Sequence, residues 1–243
     1  MENRRLARHV LLLVLALAMP TAADARHARI ALTFDDLPAL TILKDQPYVD
    51  YLNAMILRGL KRHHIPATGF VNEGKFDEID RPQQIAVLRK WLDASMYLGN
   101  HTFSHESPNA LGAQGYIADI VRGEVVTREM LAARHQRIRW FRHPYLETGT
   151  PQAVKNEIDT WLAAHGYRIA PVTIDADDWE FAEPYDDAIA RHDEVRRERI
   201  RAQYLEHTEK MIGWSRGAAH ALFGRDIFLC HAAACDPAQR RLH

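Results

Sequence analysis

The chain has few cysteines, few long apolar runs and no excess of either charge. Only Cys230 and Cys235 occur in 243 residues, which excludes a disulfide-built scaffold. A bridge between these two, close together near the chain end, would be incidental to the fold. Lys and Arg total 31 against 32 Asp and Glu, for a formal net charge of −1, so there is no electrostatic footprint for nucleic acid. There is no low-complexity stretch, internal repeat or domain linker. With 47% hydrophobic and 26% charged residues, the composition suits one globular domain with a full-sized core.

The first 25 residues stand apart. Arg4, Arg5 and Arg8 form a positive segment, and Val10 to Met19 form an apolar run too short to span a bilayer. Ala23-Asp24-Ala25 then places small residues where a signal peptidase reads. The expectation is a signal peptide over 1–25, cleaved after Ala25, and an exported protein, periplasmic or secreted, whose domain is 26–243 with no membrane span.

Beyond it, short apolar strands alternate with longer helical patterns. Strands are expected at the Ile30 run, Ala67–Val71, Met96–Asn100, Ile138–Phe141, Tyr167–Ile174 and Ile227–His231. Helices are expected over Gln46–Arg62, Arg81–Asp93, Tyr116–Arg134 and Pro151–His165, with a long helical region over Tyr185–Phe223. Repeated βα units of this kind predict a parallel sheet, open or closed into a barrel.

Polar residues cluster just after these strands. The first ends in Asp35-Asp36; alone, such a pair fits a turn or a helix N-cap better than a site. His101-Thr-Phe-Ser-His105 follows the third strand. Two imidazoles four apart can converge on a cation, although chance pairs are common among 14 histidines. On one rim with the acid pair they form a candidate two-His, one-carboxylate site with room for water, the arrangement of a catalytic metal. Arg142-His-Pro-Tyr145 follows the fourth strand, Asp175-Ala-Asp-Asp178-Trp179 the fifth, and Leu229-Cys-His231 closes the sixth. Each has a plain reading: a surface charge, a turn former, a satisfied core histidine. Five such clusters after five strands are hard to ascribe to coincidence.

In this order, the five clusters make the chain resemble the polysaccharide deacetylases of the NodB-homology type, carbohydrate esterase family 4, over about residues 29–231. The resemblance implies an α/β fold, a distorted (β/α) barrel with fewer than eight strands. It also implies one divalent metal, zinc or else cobalt, and a hydrolase that removes acetyl groups from a polysaccharide or oligosaccharide. The acetyl could be N-linked on a glucosamine-containing glycan or O-linked on xylan or an exopolysaccharide. Asp36, His101 and His105 would be metal ligands and Asp35 the general base, held ionised by Arg142. His231 would be the general acid, oriented by Asp178. The backbone N–H of Tyr145 would meet the oxyanion, and Trp179 would wall the acetyl pocket.

Two departures carry expectations. His143 and the following Leu146-Glu-Thr-Gly149 alter the third motif and so the substrate rim. The chain stops twelve residues after His231, where the family continues through another helix and strand. The barrel is therefore expected to be incomplete at the C-terminus, with its first and last strands partly unpaired and the protein poorly stable and weakly active. The alternative functional reading is a catalytically impaired or dead carbohydrate-binding relative. A further one is another metal hydrolase, such as an amidase or phosphoesterase, on a similar barrel.

Overall fold

A computed structural model describes residues 29–234. The expected signal peptide, Cys235 and the polar tail lie outside the described residues. In chain order the elements are β1 (Ile30–Leu37), α1 (Gln46–Arg62), β2 (Ala67–Val71), α2 (Arg81–Asp93), β3 (Tyr97–Asn100), α3 (Pro108–Arg122), α4 (Val125–Ala132), β4 (Trp140–Phe141), α5 (Gln152–Ala164), β5 (Arg168–Ile169), β6 (Ile174–Asp175), α6 (Trp179–Ala190), α7 (Glu194–Phe223) and β7 (Leu229–Ala234). Short 3-10 turns at Glu73–Glu78 and Pro144–Leu146 complete them.

All pairings are parallel, in the order β5-β4-β3-β2-β1-β7-β6. Laid flat, the two edges of seven strands would stand about 28 Å apart, at 4.7–4.9 Å per spacing. Yet β5 and β6 are joined by only residues 170–173, a link that reaches at most about 18 Å when extended. The sheet must therefore curl. It forms a distorted half-barrel of seven strands, and its gap falls between β5 and β6.

This placement corrects two expectations. The single strand anticipated over Tyr167–Ile174 is two short strands on opposite edges. Pro171 lies between them, and lacking an N–H it cannot continue a ladder. The first and last strands are not left unpaired: Ile30–Asp35 pairs with Leu229–Ala234, and β7 pairs in turn with β6. The helix expected over Tyr116–Arg134 also differs, beginning at Pro108 and breaking at Gly123.

The main core lies between the sheet and α1, α2, α3 and α5. Trp91 is fully buried there, edge-on to Phe34 at 5.5 Å, and its indole N–H donates to Asn53 Oδ1 at 2.7 Å. The absence of a side chain at Gly69 matters: a Cβ would stand 2.0 Å from Leu37 Cδ1. A second, smaller core of Tyr185, Ala188, Ile200 and Tyr204 joins α6 to α7. A third, of Ile174, Ala219 and Leu229, seats α7 on β6 and β7.

Candidate active site

Adjacent residues on a regular strand point to opposite faces, so Asp35 and Asp36 should not both reach one site. Between the pairs Phe34↔Gly69 and Leu37↔Val71, β1 spends two residues where β2 spends one. This is a β-bulge, and Asp36 sits in it at φ 60°. The bulge turns both carboxylates into one cleft of about 740 Å³ at the C-terminal ends of the strands, within the size range of small-ligand sites.

The loop after β3 brings the histidines to the same cleft. Asn100 anchors it, accepting from Thr102 N at 2.7 Å and donating to Ile120 O and Tyr167 Oη. Asp119 of α3 accepts from the backbone N–H of Phe103 and Ser104 and from Ser104 Oγ. Gly123 lets α3 end against the loop: a Cβ there would lie 2.3 Å from the Thr102 carbonyl carbon. Thr102 and His105 both take left-handed φ, 64° and 59°, and Thr102 Oγ1 accepts from His105 N.

One donor atom each from Asp36, His101 and His105 lies within 4.8 Å of the others. His101 Nδ1 is 2.8 Å from the carbonyl of Arg142; a carbonyl only accepts, so Nδ1 carries the proton and Nε2 keeps its lone pair. Asp36 Oδ1 is buried with no hydrogen-bond partner among the described residues, 3.4 Å from His105 Nε2 and 3.9 Å from Lys75 Nζ. Burial holds both imidazoles below their ordinary pKa, hence neutral. Burial alone would push the Asp36 carboxyl up, but Lys75, His105 and His101 together hold it below the usual range. Neutral imidazoles, a carboxylate and an orphaned oxygen fit a divalent ion such as zinc or cobalt.

Arg142, 1% exposed, lies beneath. Its Nη1 donates to Asp35 Oδ2 at 3.1 Å and its Nη2 to Thr33 Oγ1 at 3.1 Å, with the guanidinium carbon 4.7 Å over the Phe70 ring. Burial outweighs the guanidinium and pushes the Asp35 carboxyl up to about 7.

Tyr145, Trp179 and Asp178 also line the cleft. The Tyr145 ring meets His105 edge-on at 4.7 Å; Trp179 opens α6 and is 58% exposed, whereas Asp178 before it is buried. His231 lies on β7 with its Nε2 buried and without a hydrogen bond among the described residues. The cleft wall beside it is made by Ala232 and Ala233. Burial lowers its pKa, and Asp175 pulls in the opposite direction. His143, the departure in the third motif, is a buried floor residue stacked on Tyr116 and held neutral by burial at a pKa of about 4. Lys75, Asn72, Glu183 and the Leu40–Ile42 loop also line the cleft; no motif announced them, because the fold alone brings them there.

Comparison with known proteins agrees with this geometry. The polysaccharide deacetylase family model matches residues 22–170. A peptidoglycan-N-acetylglucosamine deacetylase of Bacillus cereus is 26% identical over 156 residues, covering 63% of this chain and 47% of that protein; the chain thus spans about half the length of this curated relative. The fold resembles a Bacillus cereus polysaccharide deacetylase, with TM-score 0.58 and 17% identity over 88% of this chain and 82% of that one. It also resembles a family 4 carbohydrate esterase pseudoenzyme of Bacillus anthracis, with TM-score 0.55 and 17% identity over 88% of this chain and 57% of that one. Among the described residues no helix is long and apolar enough to cross a membrane.

Proposed function

From the chain's membership of the polysaccharide deacetylase family, we propose that it hydrolyses acetyl groups from an exported-compartment glycan, N-linked on a glucosamine polymer or O-linked on xylan or an exopolysaccharide. The observation that carries this reading is the convergence of Asp36, His101 and His105 beside the Arg142-held carboxylate of Asp35. Those three ligands would hold one divalent ion. When bound, such an ion supplies Lewis acidity, polarising the acetyl carbonyl and acidifying water.

The chain's own residues do the rest. Asp35 Oδ1 is buried with no hydrogen-bond partner among the described residues, so it is available to take the proton of the attacking water. Arg142 fixes the other oxygen. The backbone N–H of Tyr145 meets the charge developing on the carbonyl oxygen. His231 returns a proton to the leaving amine or alkoxide, with Asp178 orienting it. Tyr145 and Trp179 offer exposed ring faces to the sugar and its acetyl group.

A second reading, a carbohydrate-binding relative with impaired catalysis, is favoured by one observation: β7 lines the cleft through Ala232 and Ala233, whereas His231 is buried. Acetate release from a panel of acetylated glycans separates the two, measured with added zinc or cobalt and again after chelation. Release that needs the metal supports the deacetylase. Binding without release on every substrate supports the second reading.

A further inference from the structure

The β1–α1 loop and α6 form one side of the cleft, through Leu40, Thr41 and Ile42 on the loop and Trp179, Ala182 and Glu183 on the helix. A single buried carboxylate ties them together. Asp186, 0% exposed, accepts from Thr41 Oγ1 at 2.5 Å and Ile42 N at 3.0 Å through Oδ2, and from Tyr48 Oη at 2.8 Å through Oδ1. Thr41 Oγ1 accepts in turn from Leu43 N at 3.0 Å, which fixes the loop's turn. Residues three and four apart share a helix face, so Asp186 shares its face with Ala182 and Glu183. A carboxylate buried this deeply is costly unless its lone pairs are met, and here three donors from a neighbouring segment meet them.

What the clamp holds in place is exposed and amphipathic. Ile42 on the loop is 51% exposed, and Glu183 lines the same side of the cleft from the helix. A pyranose ring has an apolar C–H face for an aliphatic side chain and hydroxyls for a carboxylate. We infer that Asp186 is a specificity-determining positioning residue, which sets the spacing of a sugar subsite between Ile42 and α6 for a ring next to the acetylated one. The inference rests on the deacetylase reading above.

The test compares an acetylated monosaccharide with a short acetylated oligosaccharide, measuring KM and kcat for wild type, Asp186→Ala and Asp186→Asn. Asp186→Ala is expected to raise KM for the oligosaccharide on the order of tenfold with kcat held, the size of one lost hydrogen bond. KM for the monosaccharide should follow wild type. Asp186→Asn should restore most of the affinity, since its amide oxygen can accept from Thr41 and Ile42 while its NH₂ donates to the Tyr48 hydroxyl. Equal losses on both substrates, or a fall in kcat alone, would overturn the inference. Should Asp186→Ala not fold cooperatively, Thr41→Val removes the hydroxyl's bond to Asp186 and the one it accepts from Leu43 N, keeps the Ile42 and Tyr48 bonds to the carboxylate, and is read by the same ratio. If wild type binds glycans without releasing acetate, Kd by calorimetry replaces KM with the same two outcomes. If it neither binds nor deacetylates any glycan, the functional reading and the inference both fall; if it is active but the variants lose both substrates in parallel, only the inference falls.

Discussion

Arg142 Nη1 donates to Asp35 Oδ2 at 3.1 Å across 107 residues of sequence, and the same residue's carbonyl accepts from His101 Nδ1. One buried arginine therefore positions both the proposed base and a proposed metal ligand. Its side chain sets the charge next to Asp35, and its backbone sets the tautomer of His101. The geometry of the two groups is coupled through the residue that follows β4, far from both in sequence.

This coupling gives a pH prediction with a definite sign. Burial raises Asp35 to about 7, and Arg142 opposes the rise. A base must be ionised to act, so kcat/KM should climb with pH on an acid limb no higher than about 7, because a bound cation would lower the carboxyl further. Weakening the guanidinium contact with Arg142→Lys should move that limb to higher pH. A limb unmoved in the variant, with activity retained, would show that Arg142 does not control the ionisation of Asp35.

The two adjacent acids should separate by function. Asp35→Asn should keep the metal and lose on the order of 10²–10⁴ in rate. Asp36→Ala, His101→Ala and His105→Ala should each lose the metal while remaining folded, with affinity in the wild type falling as acid protonates the imidazoles. Elemental analysis beside acetate release checks both halves. Wild-type turnover in Asp35→Asn would make that residue structural, and unchanged stoichiometry in both histidine variants would remove the metal assignment.

Much of this arrangement was legible before any coordinates. The 3.6-residue apolar stripes of Gln46–Arg62 and Arg81–Asp93 report helices that the fold keeps with the same ends, because each buries one continuous face and is closed by local signals. Four of the five polar clusters report strand ends, since there a parallel sheet releases side chains into a cleft; the fifth does not, because His231 lies inside β7 (Leu229–Ala234) and not at its end. The bulge at Asp35–Asp36 was not legible, because it is a mismatch between β1 and β2 and exists only once they pair. The splitting of Tyr167–Ile174 was likewise hidden: two dipeptides, Arg168–Ile169 and Ile174–Asp175, on opposite sheet edges read in sequence as one strand. Asp186 carried no signal either, since its three partners lie about 140 residues away.

Asp119 should act on the metal without touching it. It accepts from Phe103 N, Ser104 N and Ser104 Oγ, holding the loop that carries both imidazoles. Asp119→Ala leaves two loop amides unpaired, at about 1–3 kcal/mol each where they are shielded from water. Supporting partners of this kind typically cost 10–100-fold in metal affinity when lost. Calorimetric titration with zinc should show a loss of that order with stoichiometry retained. An affinity equal to wild type would mean that the loop is held by Asn100 and Thr102 without Asp119.

Two glycines should respond oppositely to the same added methyl group. At Gly123 a Cβ would stand 2.3 Å from the carbonyl carbon of Thr102 and 2.5 Å from Phe103 N, both backbone atoms that no rotamer change can move aside. Gly123→Ala must therefore push α3 away from the His101–His105 loop, at a cost of about 1–3 kcal/mol or more from overpacking, and weaken metal binding with it. At Gly217, inside α7, a Cβ meets nothing within 4 Å, and the helix gains from a residue with less freedom when unfolded. Gly217→Ala should raise stability by roughly 0.4–1 kcal/mol and leave metal binding as it was. Chemical denaturation of the two variants beside wild type, with zinc titration of each, checks the pair. If Gly123→Ala proved as stable as wild type and bound zinc as tightly, then the close contact between α3 and the histidine loop would not be what holds the ligands in place.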